Sequence, residues 1–192
     1  MDKLYIALGV NGVGKSTVVT EATNGTGIEI VSFGELITQL MIEGGVATTR
    51  DELRIIATQA TWVKYQRLTA ETIGRTQGNI IVDTHASVPS PHGYYPGLPP
   101  NVLTNFPIPP SVIFLVEASP EEIYARRTRD PTRVRDHDFE RGIDLIKQHQ
   151  EVNRYFSAAY CASTGARLKI VQNNNDGLEQ AVKEVRDTLL EV

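Results

Sequence analysis

Five short apolar runs punctuate the chain: Leu4–Leu8, Ile28–Val31, Ile80–Val82, Val112–Val116 and Leu168–Val171. Each is brief and most are rich in β-branched residues, the pattern of strands covered on both faces of a parallel sheet. Between them, apolar positions recur at helical spacing, and the ends of these stretches can be read. Ser32 with Glu35, Thr49 with Glu52, and Ser119 with Pro120 and Glu122 form capping boxes, the last with proline at the first helical position, where its missing N–H is harmless. Leu145, His149, Val152, Phe156 and Ala159 trace one face of a long helix that Gly165 terminates. Asp176 is expected to cap a final helix with the stripe Leu178, Ala181, Val182, Val185 and Leu189. Strand alternating with helix predicts a doubly wound α/β domain of five parallel strands, with helices on both faces and the ligand at the strands' carboxyl ends.

Two connections are long. Residues 33–78 insert a mostly helical excursion between the second and third strands. Residues 84–111 hold eight of the ten prolines and too few periodic apolar positions for a crossover helix. Long connections in compact domains tend to be functional. The 192 residues, 41% hydrophobic and 22% charged, suit one domain, 1–192, with no repeat, low-complexity tract or linker. A net charge of −4 supplies no global field for nucleic acid or anionic lipid. The single cysteine, Cys161, excludes an internal disulfide framework and a multi-cysteine zinc site, and reads as a small buried hydrophobe. The opening residues MDKLYIALGV lack a signal peptide's apolar region, and no run approaches a membrane span. A cytoplasmic location is therefore expected. Trp62, Tyr65 and Leu68 read as core or subunit contacts rather than a base-stacking platform.

The strongest chemical signal is Gly9-Val10-Asn11-Gly12-Val13-Gly14-Lys15-Ser16, a complete G-x-x-x-x-G-K-[ST] motif between a strand and a helix that opens Ser16-Thr17. Glycines at 9, 12 and 14 let successive N–H groups face one anion, and the helix adds its positive end. Lys15 would reach the β- and γ-phosphates, and Ser16 would ligate Mg²⁺. Asp83, closing the run IIVD, is the second expected metal ligand, a structural turn residue being the alternative. His85 reads equally as a substrate contact or as a partly buried structural histidine.

Residues 126–135 carry five arginines against one aspartate, +4 on a chain of net −4, which leaves −8 for the remainder. Bidentate guanidinium groups match phosphate oxygens, and phosphoryl transfer relies on such charge. With Pro131 in it, the segment suggests a flap that closes over a nucleotide and expels water. A solvated helix end is the plainer alternative.

Together these residues resemble a family, the archaeal-type adenylate kinases. Besides the phosphate loop, the similarity rests on Asp83-Thr84-His85, Gly93-Tyr94-Tyr95-Pro96-Gly97-Leu98-Pro99 and Thr132-Arg133-Val134-Arg135, and it extends to Gly34 and Arg50-Asp51-Glu52-Leu53-Arg54. It runs in order across nearly the whole chain. The proline-rich block is more specific than the phosphate loop, which many unrelated NTPases share. The resemblance implies the three-layer P-loop fold of the nucleoside monophosphate kinases, with 33–78 as the monophosphate-binding subdomain and 126–137 as a short lid. It implies Mg²⁺, ATP and AMP/ADP as ligands and a homotrimer. By the same resemblance Gly9 to Thr17 bind ATP, and Lys15, Arg126, Arg133 and Arg135 are catalytic. Ser32, Gly34, Arg54, His85 and Arg154 would lie on the AMP side. The chain departs from the pattern at Asn11, where proline is usual, at His92, beside the Gly93-Tyr94 pair, and at Val134, between two lid arginines. Other acceptors (CMP, UMP, GMP or a non-nucleotide alcohol), a nucleotide-gated switch and an RNA- or ribosome-associated ATPase are the competing functions. The switch lacks support, because Gln172-Asn173-Asn174-Asn175-Asp176 has no lysine where a guanine-reading motif needs one.

Overall fold

The apolar runs assemble into one sheet of five strands in which every neighbouring pair is parallel. The computed structural model describes residues 3–49, 52, 58–90, 92–129 and 139–191. In chain order the elements are β1 (Leu4–Gly9), α1 (Lys15–Thr23), β2 (Glu29–Ser32), α2 (Phe33–Glu43), α3 (Gln59–Ile73), β3 (Ile80–Asp83), β4 (Ser87–Ser90), β5 (Gly93–Pro96), α4 (Pro100–Leu103), β6 (Pro110–Glu117), α5 (Pro120–Arg129), α6 (Phe139–Thr164), β7 (Arg167–Gln172) and α7 (Leu178–Leu190). The sheet order is β2-β3-β1-β6-β7.

Side chains of β1 alternate between two buried layers, which makes the fold doubly wound. Leu4, Ile6 and Leu8 meet Ile37 and Met41 of α2, Tyr65 and Ile73 of α3 and Tyr160 of α6. Tyr5 and Ala7 meet Val18 and Val19 of α1, Ile123 of α5 and Val185 and Leu189 of α7. Burying each large apolar side chain contributes about 1.5–3 kcal/mol. A one-residue slip would exchange the two sets, so the register is strongly specified. Trp62 and Leu68 pack half-buried beside Tyr65, and Cys161 packs half-buried on the same layer, its thiol pushed up by burial. No helix among the described residues is long and apolar enough to cross a membrane.

All three N-cap bonds form, but only Thr49 and Glu52 close the reciprocal box, because Ser119 N donates to Asn174 Oδ1 and Glu122 Oε1 accepts from Asn175 N instead. Ser32 Oγ accepts from Glu35 N, Thr49 and Glu52 exchange two bonds, and Ser119 Oγ accepts from Glu122 N. Gly165 ends α6 at φ +77°. Two expectations require correction. Asp176 does not cap α7: Gly177 holds that position with no side-chain bond, and Asp176 lies one residue earlier in the left-handed region at φ +61°. The buried face of α6 is also turned one residue from the expected stripe. Leu145 is 48% exposed and Ala159 is exposed, while Ile146, Asn153, Ser157 and Tyr160 are buried. The reason is a polar partner. Asn153 receives a 2.6 Å bond from Ser87 Oγ at the start of β4.

That partner belongs to the 84–111 connection, which contains an antiparallel hairpin, β4–β5, and the single turn α4. Prolines 89 and 96 are tolerated because a two-stranded ribbon leaves ladder positions open. The hairpin is fastened to α6. Tyr160 Oη donates to Ala86 O at 2.6 Å and accepts from Leu98 N at 3.2 Å, while burial raises its hydroxyl to about 12 and keeps it a donor. Tyr94 packs on the His149 ring at 5.3 Å, and His149 Nε2 lies 3.3 Å from Ser87 O.

Burial holds His149 below its ordinary value of 6.5, and the charge on Arg127 adds to this. The unfolded chain therefore takes up this proton at a higher pH than the native state. Stability is retained above pH 6.5 and declines as pH falls through the native value. His149→Phe, which keeps the ring contact, is expected to narrow the difference in Tm between pH 7.5 and pH 5. Scanning calorimetry checks this, and an undiminished difference would refute it.

Candidate active site

Strand register brings the chemistry to one edge. Gly9 pairs with Val116, Ala7 with Asp83, Ser32 with Asp83 and Glu117 with Gln172, so the carboxyl ends of all five strands lie together. From Gly9 the chain turns through 10–14 into α1. Gly12 and Gly14 stand at φ +82° and +85°, and a Cβ on Gly14 would collide with Asn173 Nδ2. Neither position admits a side chain without strain.

The loop is shaped from outside. Arg127 Nε donates to Asn11 O at 2.8 Å, and Val13 O accepts from Arg126 Nη1 at 3.1 Å and Asn173 Nδ2 at 2.8 Å. His85 Nδ1 lies 3.2 Å from Gly9 O. In a planar trans peptide the carbonyl and the next N–H point opposite ways. Drawing the carbonyls of 9, 11 and 13 outward therefore turns the amides of Val10, Gly12 and Gly14 toward the loop's hollow, the arrangement that binds an anion. Asn11, in place of proline, leaves its own amide available and has its carbonyl fixed by Arg127.

Lys15, only 8% exposed, contacts Asp83 Oδ1, and Ser16 Oγ donates to Asp83 Oδ2 at 3.0 Å. Burial draws the Lys15 ammonium down to about 7, while the adjoining carboxylate favours its charged form. Ser16 and Asp83 present a hydroxyl and a carboxylate, the hard oxygen donors that suit Mg²⁺, an ion usually held by one or two protein groups with phosphates and water. Among the described residues no group of three or more His, Cys, Asp and Glu forms an alternative metal cluster.

The arginines are distributed around this centre. Arg126 is committed to the loop's outer wall, where it bonds Val13 O, Asn173 O and Asn175 Oδ1 and pairs with Glu122. Arg154 forms two 2.7 Å bonds with Glu117. Arg54, Arg133 and Arg135 lie outside the described residues, as do Arg50, Asp51, Leu53 and 130–137 of the expected lid. Ser32 is the N-cap of α2, and the space beside Gly34 is open. Lys15, Ser16, Asp83, His85 and Arg126 thus meet at the loop, with Ser32 beside Asp83. His92 lies in the hairpin turn, where its N–H donates to Ser90 Oγ.

Three participants escaped the sequence reading: Asn173, Arg127 and Glu117. Glu117 had a signal, since it closes the apolar run VIFLV as Asp83 closes IIV. The proline-rich block also acquires a structural role. A Cβ on Gly97 would collide with His85 O, and Gly97 N donates to Ala86 O at 2.8 Å, so this glycine holds the segment after Asp83 against the hairpin.

Comparisons with known proteins agree with this geometry. A family model described as an AAA domain matches residues 8–144. An adenylate kinase from Thermoplasma volcanium is 43% identical over 94% of this chain and 96% of its own. One from Methanopyrus kandleri is 40% identical over 98% of each. The solved structure of shikimate kinase from Bacteroides thetaiotaomicron superposes with a TM-score of 0.61 over 97% of this chain and 98% of that one, at 14% identity. That likeness shows the fold alone, the three-layer P-loop arrangement. The two sequence relatives extend over almost all of both chains, and on their identity the protein belongs to the archaeal adenylate kinase family.

Proposed function

We propose that the protein transfers the terminal phosphoryl group of Mg·ATP to AMP, giving two ADP in a reversible in-line displacement without a covalent enzyme intermediate. One observation carries the reading: in a chain of this family, the inward amides of the phosphate loop, Lys15, Ser16 and Asp83 share one edge of the sheet. The amides from Gly9 to Thr17 cradle the donor phosphates, and Lys15 follows the charge that passes between them. Ser16 and Asp83 would hold Mg²⁺, whose charge would offset that of the phosphate oxygens. Arg133 and Arg135 clamp the equatorial oxygens of the phosphoryl group in transit, Arg126 contacts ATP from the wall of the loop, and Arg154 adds a further phosphate contact.

On the acceptor side, residues 33–78 form the AMP-binding subdomain, with Ser32, Gly34, Arg54 and His85 near the monophosphate. Residues 126–137 form the lid, whose closure excludes the water that would otherwise accept the phosphoryl group. The resemblance of the sequence blocks supports these assignments, a homotrimeric assembly and a cytoplasmic location.

A coupled assay with purified protein tests the function. ADP is expected from ATP with AMP, with slower turnover on CMP, UMP or GMP and none after EDTA removes divalent metal. Recovery is expected with added Mg²⁺. Folded protein inert toward every monophosphate would refute the kinase reading. Faster turnover on another base would move the acceptor, and unimpaired turnover in EDTA would remove the metal from the scheme.

A further inference from the structure

We infer that Glu117 is the positioning residue for Arg154, holding its guanidinium so that the edge turned away from the carboxylate faces the transferring phosphates; this rests on the reading of Arg154 as a phosphate ligand. Glu117 ends β6 one residue beyond Val116, the register partner of Gly9. It therefore stands at the mouth of the phosphate loop, although nothing in the motif points to it. Its side chain is 4% exposed and that of Arg154 is 56% exposed. The carboxylate accepts from Arg154 Nε and Nη2 at 2.7 Å each and from Gln172 Nε2 at 3.3 Å.

The geometry gives this pair a direction. A carboxylate buried at a strand end is placed by the sheet and has little freedom of its own. A guanidinium is a planar fork, so two bonds from Nε and Nη2 to one carboxylate fix its plane. Both Nη1 hydrogens and one on Nη2 remain on the far edge, and the exposure of Arg154 leaves that edge open. Without Glu117 the long side chain would sample many rotamers over α6, and an incoming phosphate would have to order it. With Glu117 it is ordered beforehand, the condition for electrostatic stabilisation without reorganisation.

A purely structural tie between α6 and the sheet is the rival explanation. The helix already has such a tie one turn earlier. Gln150 Nε2 donates to Ala118 O at 3.0 Å, and Gln150 Oε1 accepts from Ala118 N at 3.3 Å. The Glu117–Arg154 pair is therefore free to serve orientation.

Steady-state kinetics with Mg·ATP and AMP on the full chain decide the matter, using Glu117→Gln, Arg154→Lys, Arg154→Met and the double variant Glu117→Gln/Arg154→Met. Glu117→Gln and Arg154→Lys are each expected to lower kcat about 10-fold or more, with KM values changed far less, as misplacement of a catalytic group does. In the Arg154→Met background, Glu117→Gln should change kcat by less than about 2-fold, because its partner is gone. The inference is overturned if the Glu117→Gln loss persists undiminished in that background. It is likewise overturned if Arg154→Met lowers kcat while Glu117→Gln does not. Wild-type kcat in Arg154→Met would instead overturn the phosphate-ligand reading on which the inference rests. Should Glu117→Gln fail to fold, Arg154→Lys at the exposed position carries the test, and wild-type kcat there overturns the proposal.

Discussion

Lys15→Met is expected to lower turnover by roughly 10³-fold and to weaken ATP binding as well, in a protein that still folds. Methionine keeps the unbranched apolar stem that packs beneath the loop and removes only the ammonium. Lys15 is 8% exposed, so water cannot replace the missing charge, and electrostatic groups in such a setting act far more strongly than on a surface. The substitution also leaves Asp83, whose side chain is 15% exposed, with its hydroxyl partner Ser16 but without its cation. Two acceptor oxygens facing incoming phosphates repel them. The coupled assay reads the turnover, calorimetric titration reads ATP affinity, and circular dichroism reports folding. Turnover within about tenfold of the parent would show that the loop amides suffice and that Lys15 is a structural partner of Asp83.

Arg133→Ala is expected to cut turnover at least about 10²-fold while ATP affinity moves by less than about 3-fold, on the scale known for arginine fingers. The segment 126–135 carries +4 on a chain whose remainder carries −8, and the charge of the transition state spreads over equatorial oxygens that such guanidinium groups match. An interaction made only there lowers kcat and kcat/KM together, whereas uniform binding raises KM alone. The split therefore tests the role directly. A rise in KM for ATP at unchanged kcat would reassign Arg133 to ground-state binding. No change in either would remove 130–137 from the catalytic scheme.

The contrast between what was legible and what was not follows the range of the interactions. Apolar runs mark β1, β3 and β6 because burial on two faces imposes its demand residue by residue, whereas the edge strands β2 and β7, expected to be covered as well, leave Ile30, Leu168 and Ile170 exposed. The caps at Ser32, Thr49 and Ser119 were readable because donor and acceptor lie three residues apart. The phosphate loop was readable because its glycines, lysine and serine are contiguous. Asp176 failed as a cap although the motif was local, since the backbone enters the left-handed region there and Gly177 takes the cap position.

The arrangement around the loop is another matter. Asn173 reaches Val13 across 160 residues, Arg154 reaches Glu117 across 37 and Ser87 reaches Asn153 across 66. No periodicity encodes such pairs, and Asn153 of α6 is buried only because Ser87 of the hairpin, distant in sequence, meets it. The sequence by itself thus determined the strand and helix pattern, the anion-binding loop and the candidate metal ligands, each specified by neighbouring residues. Only the tertiary structure decided which carbonyls are drawn outward, which carboxylate holds which arginine and which face of the long helix is buried. Those choices depend on surfaces that meet only after the sheet has formed.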